Sequence, residues 1–378
     1  MTAIELFAGA GGLGAGLKNA GFEVAIANEI ERDFATTYSI NHPEAVVLNE
    51  DIHSIDFAAV AARLGIDRVS LLSGGPPCQG FSTVGSKNRR DPRNSLFHEY
   101  LRAVTELSPD YVLFENVSGF KSLYGGEAYR QLIRELEELG YDWNGGVLDA
   151  SDFGLPQIRQ RTIVLGWKKG LPPVSLPPPT HCDGANIFNL PQKLALMDAI
   201  SDLPPLGSRE SSKVYHYPPL NEYQRKLRAG CSELTEHNAS NYGDKMQEIL
   251  RLIPAGGTVN DLPEHLRPQS YFANTYARLL PDRPSPTITR NFGTPSSSRC
   301  IHPFQNRALS TREGARLQGF PDTYKFYGSK ISKNLQIGNA VPPILGEVVA
   351  RQIIKTLLST ESRSSFQAHE PVLLAAGA

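Results

Sequence analysis

The chain has 378 residues, of which 40% are hydrophobic and 20% charged, and its formal net charge is -1 at pH 7. This length allows two or three domain-sized units, and the composition is that of an ordinary globular protein rather than a disordered or fibrous one. A net charge near zero gives the whole chain no bias toward polyanions, and no apolar run approaches the roughly 20 residues that a membrane span needs.

The four cysteines are widely scattered, at Cys78, Cys182, Cys231 and Cys300. Without paired spacing they argue against both a disulfide framework and a zinc site, and they fit a reducing compartment. Since Met1 leads within two residues into a strand-like segment, no signal or transit peptide fits ahead of it. We therefore expect a cytoplasmic protein that holds no metal and does not enter a membrane.

The first 170 residues alternate short apolar strands with helical patterns. This alternation predicts βαβ units and a mostly parallel sheet that is covered on both faces, which is an α/β fold. The predicted strands are residues 3–7, 22–28, 46–48, 69–72, 111–114, 147–148 and 162–165. The first predicted helix is opened by a turn at residues 8–16 and ends near residue 20. Three further helices are predicted at about 32–41, 95–107 and 127–139.

At residue 170 the pattern changes, because two proline clusters form a linker and the alternation is lost as far as about residue 281. Helix is expected there only in pieces such as 244–252, and regular structure returns with helices at 311–318 and 344–358. We predict a catalytic and cofactor-binding domain at 1–170 and a smaller irregular domain at 171–300. A return segment at 301–358 would pack its last helix on the first domain, and a flexible tail would follow at 359–378.

Charge is distributed unevenly along the chain, with ten Lys or Arg and three Asp or Glu in residues 278–333. A local basic surface can attract a polyanion even when the molecule is neutral overall. The alternative is a solvated face balanced by the acidic helix near residues 127–138. Charge alone leaves both interpretations open.

A glycine-rich turn, Phe-Ala-Gly-Ala-Gly-Gly-Leu-Gly at residues 7–14, joins the first strand to the first helix. Glu29 ends the next strand and Asp51 follows the third, which is typical of a nucleotide site. The spacing is not the dinucleotide pattern and no P-loop Lys-Ser/Thr pair follows, so adenosine attached to an amino acid fits better than a diphosphate. We expect Glu29 on the ribose, Asp51 on the adenine amino group, and Phe7 and Ile30 as apolar faces.

A lone thiol follows the fourth predicted strand, in Gly-Gly-Pro-Pro-Cys-Gln-Gly-Phe-Ser at residues 74–82. Taken alone, Cys78 fits a buried structural cysteine better than a reactive one. The neighbouring pattern reverses this, because Glu115 lies at the end of the next strand, where a partly buried carboxyl has a raised pKa. Arg159 and Arg161 can orient that carboxylate and lower the pKa of the thiol. The set predicts an activated thiol facing an acid/base residue beside an adenosyl pocket.

These motifs, in this order, resemble the DNA (cytosine-5)-methyltransferases of bacterial restriction–modification systems over nearly the whole chain. One small departure is Glu50 before Asp51, where glycine is common in the family. The resemblance rests on residues 7–14, Asn28-Glu29, Asp51-Ile52, Pro77-Cys78-Gln79, Glu115-Asn116-Val117, 157–161, 283–287, 312–322 and 336–343.

The resemblance implies a Rossmann-like S-adenosylmethionine-dependent methyltransferase sheet with a smaller, irregular target-recognition domain. It implies S-adenosyl-L-methionine as cofactor, S-adenosyl-L-homocysteine as product, and double-stranded DNA as substrate. The cofactor residues implied are Phe7, Ala8, Gly9, Gly11, Gly12, Glu29, Ile30, Asp51, Ile52, Pro77, Asn339 and Ala340. The DNA contacts expected are Gln79, Ser82, Arg290 and Arg299.

The implied mechanism flips a cytosine out of the duplex, since its reactive carbons cannot be reached in the stack. Cys78 would attack carbon 6 while Glu115 protonates or hydrogen-bonds ring nitrogen 3, Arg161 holds the carbonyl oxygen of the base, and Arg159 supports the site. Residues 82–94 would form a mobile loop that closes on DNA, and residues 171–281 would read base edges in the major groove. We expect a monomer, with a companion restriction endonuclease as a functional partner.

Three alternatives stay open at this point. A zinc-dependent cytosine deaminase needs H-x-E and P-C-x-x-C, and His42-Pro43-Glu44 with Pro77-Cys78 imitates its start, but residue 81 is phenylalanine. The same fold could act on transfer RNA, as one branch of the family does. A non-catalytic DNA-binding relative would be expected to lose Cys78, Glu115 or Arg161, and this chain keeps them.

Overall fold

A computed structural model describes residues 1–77, 95–184 and 187–367. Its centre is a seven-stranded sheet in the order β3-β2-β1-β4-β5-β7-β6, in which β7 runs antiparallel to both of its neighbours and the β3-β2-β1-β4-β5 pairings are parallel. The strands are β1 Thr2–Leu6, β2 Glu23–Asn28, β3 Val46–Leu48, β4 Leu71–Gly74, β5 Tyr111–Val117, β6 Tyr141–Asp149 and β7 Gln160–Lys168. The mostly parallel α/β sheet is therefore confirmed.

Helices cover both faces of this sheet, so the central strands are apolar nearly throughout rather than alternating. In β1, Ala3, Ile4 and Leu6 are fully buried, and so are Leu71 and Leu72 of β4. The helices of this half are α1 Gly12–Ala20, α2 Arg32–Asn41, α3 Phe57–Arg63, α4 Ser95–Leu107 and α5 Glu127–Glu138. Helix α3 was not expected from the sequence, because seven residues rich in alanine show too little amphipathic pattern.

The strands carrying the site run longer than the sequence indicated. Strand β5 continues three residues past the predicted end at Phe114, so Glu115 lies within the strand, opposite Ile163 of β7. Strand β7 begins at Gln160, so Arg161 is also inside a strand. The polar residues Glu115, Asn116 and Arg161 hid these strand ends, because they pair with one another or with neighbouring loops instead of facing water.

The second half of the chain is irregular and has its own hydrophobic core. Its buried residues run from Leu196 to Ala340 and include Phe292 and Phe320. Its elements are α6 Leu196–Ile200, α7 Glu222–Arg228, α8 Asp244–Leu252, β8 Ala277–Arg278, β9 Arg299–Ile301, α9 Thr311–Leu317 and α10 Lys330–Asn339. Strands β8 and β9 form a parallel two-stranded sheet.

Much of the basic stretch at residues 278–333 is internal. Arg278, Arg307, Arg312 and Arg316 are each 7% exposed or less. Arg316 pairs with Asp202 and Asp322, while the Arg278 guanidinium donates mainly to backbone carbonyls. These four charges are satisfied inside the protein and do not build a basic surface.

The last helix, α11 Pro343–Gln367, returns to the first half of the chain and packs on α1. Gly16 of α1 makes this close contact possible, since a Cβ there would lie 2.4 Å from the carbonyl oxygen of Pro343. The helix extends to Gln367, beyond the end expected near residue 358, and residues 368–378 of the expected tail lie outside the described part.

Candidate active site and cofactor pocket

A cavity of about 990 Å³ lies at the carboxyl ends of β1, β2, β4 and β5. In open α/β sheets this edge is where ligands bind, and the volume suits a ligand of nucleoside size or larger. Its wall contains Glu29, Asp51, Pro77, Glu115 and Arg161. The predicted cofactor residues Glu29, Asp51 and Pro77 and the predicted catalytic residues Glu115 and Arg161 therefore line one cavity.

The glycine-rich turn forms one wall of this cavity with a backbone that L residues rarely adopt. Phe7, Gly9 and Gly11 have φ angles of 54°, 57° and 83°, in the left-handed region. Gly11 caps α1, and Gly12 begins it against the carbonyl oxygen of Val341, which would lie 2.3 Å from an added Cβ. The turn therefore brings its backbone against the cavity without side chains in between.

Glu29 is a buried carboxylate, 8% exposed, in the cavity wall. One carboxylate oxygen accepts a hydrogen bond from the backbone N–H of Gly9 at 2.8 Å, and the other accepts from that of Glu31 at 2.8 Å. Burial raises the pKa of Glu29. Each oxygen keeps a lone pair for a further donor, which is what a ribose hydroxyl offers.

The outer part of the cavity is more exposed. Asp51 accepts from the backbone N–H of His53 at 3.0 Å and contacts its Nδ1 at 2.7 Å, and these contacts lower the pKa of its carboxyl. Ile30 is 61% exposed and Phe7 is half-buried, both in the cavity wall. An apolar ring and an acceptor at the rim suit an aromatic heterocycle with an amino group.

Glu5 is a cavity residue that the sequence reasoning missed. It lies in β1, is 1% exposed, and accepts a hydrogen bond from the Tyr38 hydroxyl at 2.7 Å. Burial raises its pKa to about 8. The available signal was an acidic residue between Ile4 and Leu6 in a predicted buried strand, but its partner Tyr38 comes from α2 and could not be read from the sequence.

The chain leading to Cys78 is fixed against β5. The side-chain amide of Asn116 donates to the carbonyl oxygen of Pro76 at 3.0 Å, and both Pro76 and Pro77 line the cavity. Gly75 also lies close to the neighbouring strand, since an added Cβ would be 2.7 Å from Oε2 of Glu115. Gly75 and Pro76 are thus held against β5, with Gly75 beside the Glu115 carboxyl.

Glu115 and Arg161 form an ion pair at 2.9 Å, with side chains 10% and 13% exposed. Burial raises the pKa of Glu115, and the charges of Arg161 and Arg159 only partly oppose that rise. The raised pKa makes Glu115 a stronger candidate for proton donation than an exposed carboxyl would be.

Arg159 is 1% exposed and does not line the cavity. Its guanidinium donates to the carbonyl oxygens of Ile288, Gly338 and Ala340 at 2.8 to 3.1 Å. Burial and the nearby Arg161 lower the pKa of this guanidinium. Arg159 therefore joins the start of β7, which it precedes by one residue, to two later segments of the chain behind the site.

The expected DNA contacts divide into two groups. Arg290 lies in the cavity wall with Glu115 and Arg161, whereas Arg299 is exposed and its Nε contacts Asn274. Arg290 therefore shares the cavity of the proposed catalytic pair, Glu115 and Arg161. Cys78, Gln79 and Ser82, with the loop expected at 82–94, lie outside the described residues.

All but one of the twelve cofactor residues that the resemblance implies lie in the cavity wall. Gly11 does not line the cavity, because its Cα faces His42 and Tyr324 at the rear of the turn. The residues that do line it are Phe7, Ala8, Gly9, Gly12, Glu29, Ile30, Asp51, Ile52, Pro77, Asn339 and Ala340.

Residues 42–44, which match the H-x-E part of the zinc deaminase signature, have a different role in the structure. The His42 ring hydrogen-bonds the carbonyl oxygen of Gly11, and Glu44 pairs with Lys18. Within residues 1–77, 95–184 and 187–367, no group of three or more His, Cys, Asp or Glu is placed to hold a metal ion. No helix in those same ranges is long and apolar enough to span a membrane.

Comparison with known proteins agrees with the site. The chain is 35% identical to the Type II methyltransferase M.AgeI of Thalassovita gelatinovora, over 93% of this chain and 99% of that protein. It is 36% identical to the Type II methyltransferase M.DdeI of Desulfomicrobium norvegicum, over 93% and 88%. A crystal structure described as a DNA modification methyltransferase of an E. coli prophage superposes with a TM-score of 0.74 at 27% identity, over 95% and 99%.

The family model for C-5 cytosine-specific DNA methylases matches residues 1–355, nearly the whole chain. With the sheet order, the cavity and the Glu115–Arg161 pair on the same chain, the protein belongs to the C-5 cytosine-specific DNA methylases.

Proposed function

We propose that this protein is a sequence-specific DNA (cytosine-5)-methyltransferase in which Cys78 is the nucleophile, Glu115 the proton donor and Arg161 a contact to the base. The observation that carries this proposal is the buried Glu115–Arg161 pair, which shares a cavity with Pro76 and Pro77. Cys78 follows Pro77 directly in the chain.

The volume of the cavity and the polar groups in its wall support S-adenosylmethionine as the cofactor. Glu29 offers two buried oxygens for ribose hydroxyls, Asp51 an acceptor for the adenine amino group, and Phe7 and Ile30 apolar faces for the ring. When bound, S-adenosylmethionine supplies the methyl group that carbon 5 of cytosine accepts, and it leaves as S-adenosylhomocysteine.

The residues of the chain would act on the base in balanced steps. The Cys78 thiolate forms a bond to carbon 6 while Glu115 gives its proton to ring nitrogen 3, so that carbon 5 becomes electron-rich. After methylation a base removes the carbon 5 proton, the bond from carbon 6 to sulfur breaks, and nitrogen 3 returns its proton to Glu115. This sequence uses no metal ion.

Glu115 suits this role because burial raises its pKa, so it can carry a proton into the reaction. Arg161 orients the carboxyl through Nε, while its Nη1 donates to the carbonyl oxygen of Gln160 at 2.8 Å. Nη2 would then be the nitrogen that donates to the carbonyl oxygen of the base. Arg159, which contacts three backbone carbonyls and not the cavity, would support the site from behind.

DNA would lie beside the cavity with the target cytosine flipped into it, since neither carbon 5 nor carbon 6 can be reached in the stack. Arg290, which lies in the cavity wall, would contact the phosphates next to the flipped nucleotide, and the exposed Arg299 would contact DNA farther from it. Gln79 and Ser82 would contact DNA from the chain after the nucleophile. We keep residues 1–170 as the catalytic domain and 171–300 as the target-recognition domain in this proposal.

The bacterial relatives named Type II methyltransferases support a place in a restriction–modification system. A companion endonuclease would then cut the same sequence when it is unmethylated. We further propose that the protein acts as a monomer in the bacterial cytoplasm, because one subunit suffices to flip one base.

Covalent trapping tests the proposal. A duplex with 5-fluorocytosine at the target position has no carbon 5 proton to remove, so the adduct with Cys78 should accumulate in the presence of S-adenosylmethionine. Cys78→Ala should abolish the adduct, whereas Cys182→Ala, which changes another free and partly exposed cysteine, should leave it intact. An adduct that survives Cys78→Ala would identify a different nucleophile.

The substrate needs a separate measurement. Bisulfite sequencing of plasmid from cells that express the protein should show 5-methylcytosine at one short sequence and should identify the methylated base within it. Methyl transfer to transfer RNA in place of duplex DNA would refute the proposed substrate.

A further inference from the structure

The rear of the glycine-rich turn, opposite the cavity, is held by two side chains from other parts of the chain. The Tyr324 hydroxyl donates to the carbonyl oxygen of Ala10 at 2.5 Å. The His42 Nε2 lies 3.2 Å from the carbonyl oxygen of Gly11 and 3.2 Å from the Tyr324 hydroxyl. Since the Tyr324 proton points to Ala10 and a carbonyl can only accept, Nε2 carries the proton of the His42 ring.

These contacts are buried and sterically close. Tyr324 is 5% exposed and His42 is 2% exposed, and the His42 ring lies 4.5 Å from the Tyr38 ring. A Cβ added at Gly11 would lie 2.7 Å from both His42 Nε2 and the Tyr324 hydroxyl. His42 and Tyr324 therefore pack closely against the turn on the side opposite the cavity and leave it little room to shift.

The turn needs such support because its conformation is unfavourable by itself. Phe7 is a bulky residue with a φ of 54°, and Gly9 and Gly11 are also left-handed. Backbone of this kind is costly for a non-glycine residue and persists only where its surroundings determine it. Glu29 fixes the turn on the cavity side through the N–H of Gly9, and Tyr324 and His42 fix it on the opposite side.

Tyr324 does not belong to the sheet that carries the turn. Its ring packs on Phe320 and Phe326, with ring centroids 4.7 and 5.4 Å away, inside the core of the second half of the chain. The Tyr324 hydroxyl thus links the backbone of the glycine-rich turn to the hydrophobic core of the second half of the chain.

We infer that Tyr324 and His42 are positioning residues for S-adenosylmethionine, which hold the glycine-rich turn in the conformation that binds it. This inference rests on the proposed function, in which the turn is part of the cofactor site. Without the Tyr324 hydroxyl the turn would populate other conformations, and the apparent affinity for the cofactor would fall with the fraction that remains competent.

The test is Tyr324→Phe, which removes one oxygen and keeps the packed ring. Tyr223→Phe is the matched control, because its hydroxyl also donates to a backbone carbonyl, that of Arg316 at 2.7 Å, next to the same core but away from the turn. Calorimetric titration with S-adenosylmethionine and with S-adenosylhomocysteine, without DNA, gives the dissociation constants. We expect Tyr324→Phe to raise both about tenfold, the equivalent of about 1.4 kcal/mol, and Tyr223→Phe to leave them unchanged.

Steady-state kinetics separate positioning from general damage. Tyr324→Phe should raise the KM for S-adenosylmethionine while kcat at saturating cofactor stays within about twofold of wild type. For His42, the Gln variant keeps a donor for the Gly11 carbonyl and should bind cofactor better than the Ala variant.

The outcomes distinguish this inference from the function on which it rests. If the wild-type protein does not bind S-adenosylmethionine, the proposed function fails. If the wild type binds it and Tyr324→Phe binds equally well, or if both tyrosine variants lose the same affinity, the positioning role is wrong while the proposed function stands.

Discussion

A single methyl group at Gly75 should disable the chemistry while the fold is kept. The backbone there does not have a positive φ, so alanine is conformationally acceptable. Its Cβ, however, would lie 2.7 Å from Oε2 of Glu115, where an ordinary contact begins at 3.4 Å. The atom that gives way is the far end of the Glu115 side chain, which must retreat from Gly75 and disturb its contact with Arg161.

The expected cost falls on the rate and not on the stability. Misplacing a reacting group by about 1 Å can cost about 100-fold, so the smaller shift of Glu115 predicts a loss of roughly 30- to 100-fold in methyl transfer. The free energy of unfolding should change by less than about 1 kcal/mol, because a Gly→Ala change at an allowed backbone position restricts the unfolded chain.

Single-turnover transfer of labelled methyl groups to duplex DNA, with denaturant unfolding of the same samples, measures both quantities. Gly119→Ala is the control, since nothing lies within 4 Å of its added Cβ just after β5. In a Glu115→Gln background, Gly75→Ala should cost much less than in the wild type, because both changes act on one carboxyl. A Gly75→Ala enzyme with the wild-type rate, or one whose loss of rate merely follows a loss of folded protein, would refute the reasoning.

Three further changes have defined outcomes. Asn116→Ala leaves the carbonyl oxygen of Pro76 without its donor, at a cost in stability of about 1–3 kcal/mol. The variant should lower single-turnover methyl transfer at least about tenfold, with little effect on cofactor affinity. An unchanged rate would show that this hydrogen bond does not position the nucleophile. Glu29→Ala removes the acceptor for Gly9 and for the ribose, so calorimetry should show S-adenosylmethionine binding weakened at least about tenfold, and full affinity would place the ribose elsewhere. Burial raises the folded-state pKa of Glu5 from 4.5 to about 8, so the folded protein keeps a proton that the unfolded chain releases; the stability contributed by this proton is complete below pH 4.5 and is lost as the pH rises to about 8. Urea unfolding at pH 5 and pH 8 should therefore show a smaller fall in Glu5→Gln than in the wild type, and an equal fall would mean that Glu5 is already ionised in the folded state.

The chemistry of the site was readable from the sequence because it depends on residue types at the ends of successive strands. Parallel strands place those ends at one edge, so a glycine-rich turn, Glu29, Asp51, the residues before Cys78, and Glu115 had to lie near one another once the alternation of strands and helices was recognised. The order of the motifs was enough to identify the family.

The tertiary structure alone decided which groups are satisfied internally and which face the ligand. Arg159 and Arg161 are two residues apart, yet Arg161 pairs with Glu115 in the cavity while Arg159 donates to carbonyls of distant segments behind it. The buried arginines of residues 278–333 look the same in the sequence as Arg290 and Arg299, which are not buried. The support of Tyr324 for the glycine-rich turn depends on a contact across more than 300 positions of the chain, and no local pattern encodes such a contact. Residue type and strand order carry the chemistry, whereas burial and long-range pairing, which set pKa values and orientation, arise only when the chain is packed.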